Sequence, residues 1–349
     1  MKNLRVKIKE YYLHSPDAMT MTLLLVLYVV MFAVFSAKSS SFFSPGNFAN
    51  IFLNVSELGI MAVGVAMVVI TGRIDLSISS TYCFTAVMIA MLMMEGTPVL
   101  LAIFVSLACA LAFGLINGIF IGYMDLQPVL VTTATQTLVR GLCYIRSGSS
   151  TMSIRGMSPS FEAIGSYRLF DMFPISFLIM ILLLIGLYVV LRRTSFGIML
   201  LSIGNNPNTT RLSGYNSKRS ICLIYVLNSC FTWLAGVFMI SRLKGIEATY
   251  GGGYDFTVLT IVLMGGIAFG GGKGNSIGLF LGTLALGIMQ NGMNLMGVST
   301  LYQTAIIGLV VLLLIARPDI RGIRANLNAK RAVKRANEEY RAKLSSGNP

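Results

Sequence analysis

The chain has 349 residues, of which 55% are hydrophobic and 11% charged, with a formal net charge of +14. Soluble domains carry about 25% charged residues, so this composition excludes a water-soluble globule and requires an apolar solvent. The positive charge does not indicate nucleic acid, because it gathers in the tails and one central loop without a basic face interleaved with aromatics.

The first 18 residues form a basic tail carrying Lys2, Arg5, Lys7, Lys9 and the single histidine, His14. The apolar run at 19–37 is longer than a signal-peptide core and no A-x-A cleavage site follows it, so it reads as the first membrane span. A spanning helix needs about 20 mostly apolar residues. That window predicts about ten spans, at 19–37, 51–71, 79–94, 98–122, 128–146, 174–191, 220–241, 257–270, 275–293 and 299–316.

Besides the N-terminal tail, Lys and Arg concentrate in the central loop 192–219 and in the tail 317–349. An even span count puts all three on one side, the cytoplasmic one, where such residues accumulate. The expected fold class is therefore an all-α polytopic membrane protein with about ten transmembrane helices and cytoplasmic termini. The membrane domain covers 19–316, flanked by a basic N-terminal tail (1–18) and a basic C-terminal tail (317–349). The loops at 147–173 and 242–256 fall outside, and neither is long enough for a domain.

The five cysteines sit in apolar runs without metal spacing, as small core residues do. The sequence offers no metal ligand set, catalytic group or cofactor site. The nearest approach to a phosphate-binding loop, "IAFGGGKG" at 267–274, has Ile267 in place of the first glycine and Gly274 in place of the magnesium-binding hydroxyl. ATP is therefore not bound here by that route.

Four stretches carry polar or conformational signals. In "TGRIDLS" (71–77), Gly72 ends one helix and Asp75 or Ser77 caps the next, with Arg73 at a turn from which it reaches water or headgroups. "AFGLINGIFIG" (112–122) echoes "ALGIMQNGMNLMG" (285–297) five spans later; the readings are an inverted repeat and coincidence. In the central loop, Asn206-Pro207 starts a short helix over 207–212 that Gly214 stops. It is either a docking knob for a soluble partner or an ordinary positive-inside loop. The glycines from Gly265 to Gly282 either let helices pack closely or break them, with 270–274 the expected break. The intramembrane polar groups Glu57, Asp75, Asn117, Asn291, Asn294 and Gln303 are candidates for a weakly binding solute path, or for helix-to-helix hydrogen bonds; Ser77 joins them beside Asp75.

The central loop resembles the pattern "G-x-N-x-x-A-A-R-L-S-G-I" of permease subunits in ribose-, xylose-, arabinose- and galactose-type ABC importers. The matching residues are Gly204, Asn206, Arg211, Leu212, Ser213 and Gly214, with Thr209-Thr210 where two alanines are usual and Tyr215 for Ile. Residues 114–142 and 251–298 resemble the family's Asn-Gly and Gly-rich blocks, and "TGRIDLS" its "T-G-G-x-D-L-S". The likeness covers roughly residues 45–320. It supplies Asp75, Leu76 and Ser77 but not Arg73, which stands where the family usually has Gly; Asp75→Ala is expected to be harmful and Arg73→Gly tolerated.

The resemblance implies the permease subunit of a bacterial inner-membrane importer for a monosaccharide or related small polar solute. It implies an ABC ATPase subunit that binds ATP and magnesium and docks on residues 204–214. It further implies a periplasmic or lipid-anchored sugar-binding protein and a second permease copy, identical or similar. The competing reading is an ion-coupled secondary transporter using Glu57 and Asp75, which leaves the 204–214 loop without a purpose.

Overall fold

The computed structural model describes residues 16–148 and 150–315; the basic residues of both tails lie outside them. The chain divides into two compact units, Met1–Val311 and Leu312–Pro349, and the first is described here. It is an all-α polytopic membrane protein.

Nine of the ten predicted spans lie on helices to within a residue or two over the described residues: α1 (Pro16–Lys38), α2 (Pro45–Ile70), α3 (Ile78–Met94), α4 (Val99–Gly122), α5 (Pro128–Ser147), α7 (Ile175–Arg193), α10 (Ser217–Leu243), α12 (Ser276–Leu295) and α13 (Thr300–Ile315). The tenth, 257–270, is corrected: α11 (Tyr254–Met264) stops at Met264, and the glycine-rich residues 265–270 are not helical. Six of these, α1, α2, α4, α7, α10 and α12, are long and apolar enough to cross a membrane. α3, α11 and α13 are shorter, and α5 is long enough but rich in threonine. Three further helices join them: α6 (Pro159–Ser166), α8 (Ser195–Asn205) and α9 (Pro207–Leu212). The expectation of one short helix in 192–219 is corrected: α9 is there as expected, but α8 precedes it. Thr194 starts α8 by accepting the Gly197 N–H, and the apolar face of "SFGIMLLSIGN" buries Met199, Leu200 and Ile203.

α2 forms the centre of the bundle. Its 26 residues span about 39 Å, and 94% of its most apolar window is buried by other helices. α10 packs along both α2 and α4. On α4 the contact runs down Gly114, Gly118 and Gly122, spaced four apart on one face; a Cβ at Gly118 would meet the Cys222 Cα at 2.8 Å. Small residues at this spacing let backbones approach where lipid supplies no hydrophobic drive.

The two readings of the later glycines both apply, to different residues. Gly278 and Gly282 on α12 pack against the backbone around Gly265, whereas residues 265–275 are not helical at all. α12 therefore starts inside the bundle. The Ser276 hydroxyl donates to the Leu184 carbonyl at 2.6 Å, and Leu184 lies nine residues, about 13 Å, before the end of α7. Residues 265–275 thus carry irregular backbone into the membrane's depth, which is tolerated where protein surrounds it.

Opposite the 192–219 segment, β1 (Met152–Ser153) pairs antiparallel with β4 (Gly245–Ile246), so the loops before α7 and after α10 meet at one end of the bundle. β2 (Arg168–Leu169) and β3 (Phe173–Pro174) form a small hairpin in the first of these loops. The other end carries Arg73, Arg192, Arg193, Arg211, Lys218, Arg219 and Lys273 and is called the basic end, whereas at the first end Lys38, Arg146, Arg155, Arg168, Arg242 and Lys244 are partly offset by Glu95, Glu162, Asp171 and Glu247.

Candidate functional site

α2 ends at the basic end with Gly72 at φ +74°, a left-handed conformation that suits glycine. The Gly72 and Arg73 N–H groups donate back to the Val69 and Val68 carbonyls, closing the helix. Residues 73–77 then run non-helically into the bundle before α3 starts. Asp75 is 2% exposed and fully engaged. Its Oδ1 accepts from the Ser77 N–H (2.9 Å) and hydroxyl (2.6 Å), and its Oδ2 from Asn228 Nδ2 (2.8 Å). Asn117 Nδ2 donates to the Ser77 hydroxyl at 3.0 Å, and the Thr135 hydroxyl donates to Asn117 Oδ1 at 2.6 Å. One network thus ties the descent to α4, α5 and α10. Buried networks of this kind fix the groups they satisfy, here the Asp75 carboxylate, while Asn228 Oδ1 stays buried without a hydrogen-bond partner among the described residues.

Three of the predicted polar residues, Asp75, Ser77 and Asn117, are brought together here. Asn291 and Gln303 are not. Asn291 Nδ2 donates to Asn47 Oδ1 at 2.8 Å, joining α12 to the start of α2. Gln303 Nε2 donates to Asn294 Oδ1 at 2.6 Å, across the turn between α12 and α13. Both bonds join helices in the half away from the basic end.

The 192–219 segment divides its residues between two jobs. Asn206 Oδ1 caps α9 by accepting from the N–H groups of Asn208 (3.0 Å) and Thr209 (3.1 Å). Gly214, at φ +87°, closes it, with Gly214 and Tyr215 N–H groups returning to the Arg211 and Thr210 carbonyls. A helix of six residues is marginal alone, and these two caps are what fix it. Arg211, Leu212 and Ser213 are exposed, and Leu212 is 89% exposed, a large apolar side chain offered to a partner. Gly204 points the other way. A Cβ there would collide with the Ile70 carbonyl oxygen and the Gly272 amide.

Gly204 thereby belongs to a junction of three backbones. The Gly272 N–H donates to the Ile70 carbonyl at 2.8 Å, and a Cβ on Gly271 would lie 2.6 Å from the Gly72 nitrogen. Asn205 Nδ2 also reaches the Gly272 carbonyl at 3.5 Å. The end of α2, the irregular segment 265–275 and the end of α8 meet with almost no side chains between them. Beside this junction opens a cavity of about 310 Å³, lined by Arg73, Asp125, Gln127, Gly204, Pro207 and Gly270 among others.

Sequence reasoning noticed Glu57 but missed the cluster it anchors in the opposite half. Glu57 Oε1 accepts from Arg242 Nε at 2.8 Å, and its Oε2 accepts from the Tyr82 hydroxyl at 2.5 Å. The Tyr82, Tyr250 and Tyr254 rings pack about this carboxylate. Arg140 donates to the Ala248 (2.6 Å), Tyr250 (2.9 Å) and Ser79 (3.2 Å) carbonyls. A cation inside the predicted span 128–146 was itself the available signal, as was Asn228 inside 220–241.

A family model described as "Branched-chain amino acid transport system / permease component" matches residues 47–315. The chain belongs to that family. It is 30% identical over 284 residues to the ribose import permease protein RbsC of Bacillus subtilis (strain 168), covering 81% of this chain and 88% of that relative. It is 31% identical to the RbsC protein of Escherichia coli (strain K12), over 83% of this chain and 90% of the relative. The L-arabinose ABC transporter permease protein AraH of Azospirillum brasilense is 30% identical, over 89% of each chain. No solved structure matches. The family match takes in α2 to α13, and with them the Asp75 network, the backbone junction and α9 of this permease.

Proposed function

We propose that this chain is the membrane-spanning permease subunit of an ATP-driven ABC importer, translocating a monosaccharide or related small polar solute across the bacterial cytoplasmic membrane. Membership in a family of transport permeases, with ribose and L-arabinose permeases among the relatives, carries this reading. In it, about ten helices cross the membrane and the basic end, which carries α9, faces the cytoplasm, as the even span count with basic tails and central loop on one side expects. The ATPase subunit docks on α9 with Leu212 and Arg211 at the contact, and ATP is bound and hydrolysed there rather than on this chain. A sugar-binding protein delivers solute to the opposite end, and a second permease copy completes the translocation path.

The capped, exposed α9 supports this reading because a helix so short and so well fixed has an apolar side chain to present, and none of the described residues covers it. Movement there passes straight to the α2–α3 turn and to 265–275 through the backbone junction. The ion-coupled alternative has less support: both carboxylates it needs, Glu57 and Asp75, are already held by protein donors. Co-purification with candidate ATPases, comparing wild type with Arg211→Glu, separates the two. The expected result is an associated ATPase that the variant loses while still inserting normally. Uptake driven by a proton or sodium gradient, with no ATPase bound, would overturn the proposal.

A further inference from the structure

The cavity at the basic end is lined by Arg73, the residue of "TGRIDLS" that stands where the resembled family usually has Gly, and to which the import reading gives no part in docking. We propose that this cavity, framed by Arg73, Asp125 and Gln127, is a binding site for a small neutral polyol that brakes the transport cycle when it binds from the cytoplasm.

The chemistry selects the ligand. Among the described residues, the Arg73 guanidinium makes one hydrogen bond, from Nη1 to the Thr71 carbonyl at 2.9 Å, which leaves most of its five N–H donors for a ligand. Asp125 is exposed, supplies acceptors, and is held at φ +56°, an uncommon conformation outside glycine that concentrates at functional positions. Gln127 adds one donor group and one acceptor. The charges of Arg73 and Asp125 cancel, so the site has no net attraction for an anion, and the carboxylate opposes a phosphate at the guanidinium. Hydroxyl groups both donate and accept, and they match this mixed set. Pro128, Pro207 and Ile203 provide an apolar wall for the C–H face of such a molecule. A volume of about 310 Å³ lies at the small end of the ligand-pocket range of about 300–1,000 Å³, which suits a single sugar ring.

The position determines the effect. Arg73 lies in the α2–α3 turn, Asp125 and Gln127 in the α4–α5 turn, and Pro207 at the α8–α9 junction. A molecule bridging the three stabilises their present spacing and shifts the population toward this state. Sugar accumulating inside would then slow further import. That direction of action rests on the import reading; the binding site does not.

The test uses the full-length chain in lipid nanodiscs, with radiolabelled D-ribose as probe and D-fructose and L-arabinose as alternatives. Wild type is expected to bind at least one sugar, and inorganic phosphate not to compete. Arg73→Lys keeps the charge but loses the guanidinium fork, and Asp125→Asn keeps a residue that tolerates the left-handed backbone. Each should weaken binding by about tenfold or more, with unchanged elution profile and thermal midpoint. No binding of any of the three sugars, undiminished binding in either variant, or displacement by phosphate overturns the proposal. A second arm measures ATP-driven uptake into proteoliposomes preloaded with the bound sugar, each protein normalised to its own rate with empty vesicles. Slowing in wild type that is relieved in both variants is expected. ATP-driven uptake indifferent to preloading would overturn the brake and leave the import reading standing, whereas absence of ATP-driven uptake would count against the import reading while the nanodisc arm still decides the site.

Discussion

At the basic end, Gly72, Gly204, Gly271 and Gly272 bring three stretches of backbone into contact, whereas in the opposite half Glu57, Arg242, Tyr82 and Arg140 hold helices and loops through long side chains. The two kinds of contact respond differently to force. Backbone against backbone has no rotamers to absorb a displacement, so in the proposed importer motion of α8 and α9 is expected to reach the α2–α3 turn. Side-chain links can break and re-form elsewhere, which suits the half that must open to admit solute. Under the import reading, the basic end is the one to transmit and the other half the one to release.

The largest effect should come from the release side. Arg242→Ala leaves the 4%-exposed Glu57 without its cation, and stripping one partner from a buried pair costs about 3–5 kcal/mol. A fall of several degrees in thermal midpoint is expected, largely restored by adding Glu57→Gln. A midpoint unchanged in the single variant would mean the pair does not hold the two helices.

Next comes the transmitting junction. Gly204→Ala forces a methyl into the Ile70 carbonyl and the Gly272 amide, an overpacking worth about 1–3 kcal/mol, and ATP-driven uptake should fall by about tenfold or more. Gly245→Ala is the matched control in the opposite half, where the added carbon meets its nearest neighbour at an ordinary 3.4 Å. Equal uptake in the two variants would erase the distinction between the ends.

A smaller change should follow Leu212→Ala, which removes the most exposed apolar anchor of α9 without disturbing either cap. ATPase affinity should weaken by roughly five- to thirtyfold, as for truncation of a modest interface hot spot costing about 1–2 kcal/mol, with expression unaffected.

The smallest effect concerns pH. The hydrogen bond from Lys244 holds the Glu162 carboxyl below its ordinary 4.5. A depressed folded-state value means that the pair's contribution is complete above pH 4.5 and fades as pH falls through the lower value. Glu162 is buried but Lys244 is about a third exposed, and solvent reaches and screens the pair from that side, so only a slight acid-side decline in thermal midpoint is expected, and Lys244→Met should abolish it. A decline that persists in the variant would assign it to other groups.

The helices were legible in the sequence because apolar runs of about 20 residues have few alternative meanings. Gly72 and Gly214 were legible as helix ends for a similarly local reason, the left-handed conformation they adopt. α8 was not legible, since "SFGIMLLSIGN" is too short to span and sits among basic residues, where its buried face is defined only by packing on α7 and on the end of α2. The polar residues show the same limit. Asp75, Ser77 and Asn117 were correctly noticed one by one, but their union depends on Asn228 and Thr135 arriving from helices far along the chain. Asn291 looks identical in sequence and ends up bonded to Asn47 instead. Which polar residue meets which is a property of the bundle, and periodicity carries no information about it.

The Glu57–Arg242 pair also has a schedule. The two residues are 185 positions apart, so a ribosome adding about 5–20 residues per second delivers Arg242 roughly 10–40 s after Glu57. During that interval the central helix of the finished bundle holds an acidic side chain in or near lipid with no counter-charge yet made, at a cost of about 2.5–3.5 kcal/mol for a bare carboxylate at mid-membrane. The helix that ends up most enclosed thus waits in the bilayer with an unpaired carboxylate while the chain is being made. Its partner helix, α10, completes an insertion begun eight helices earlier.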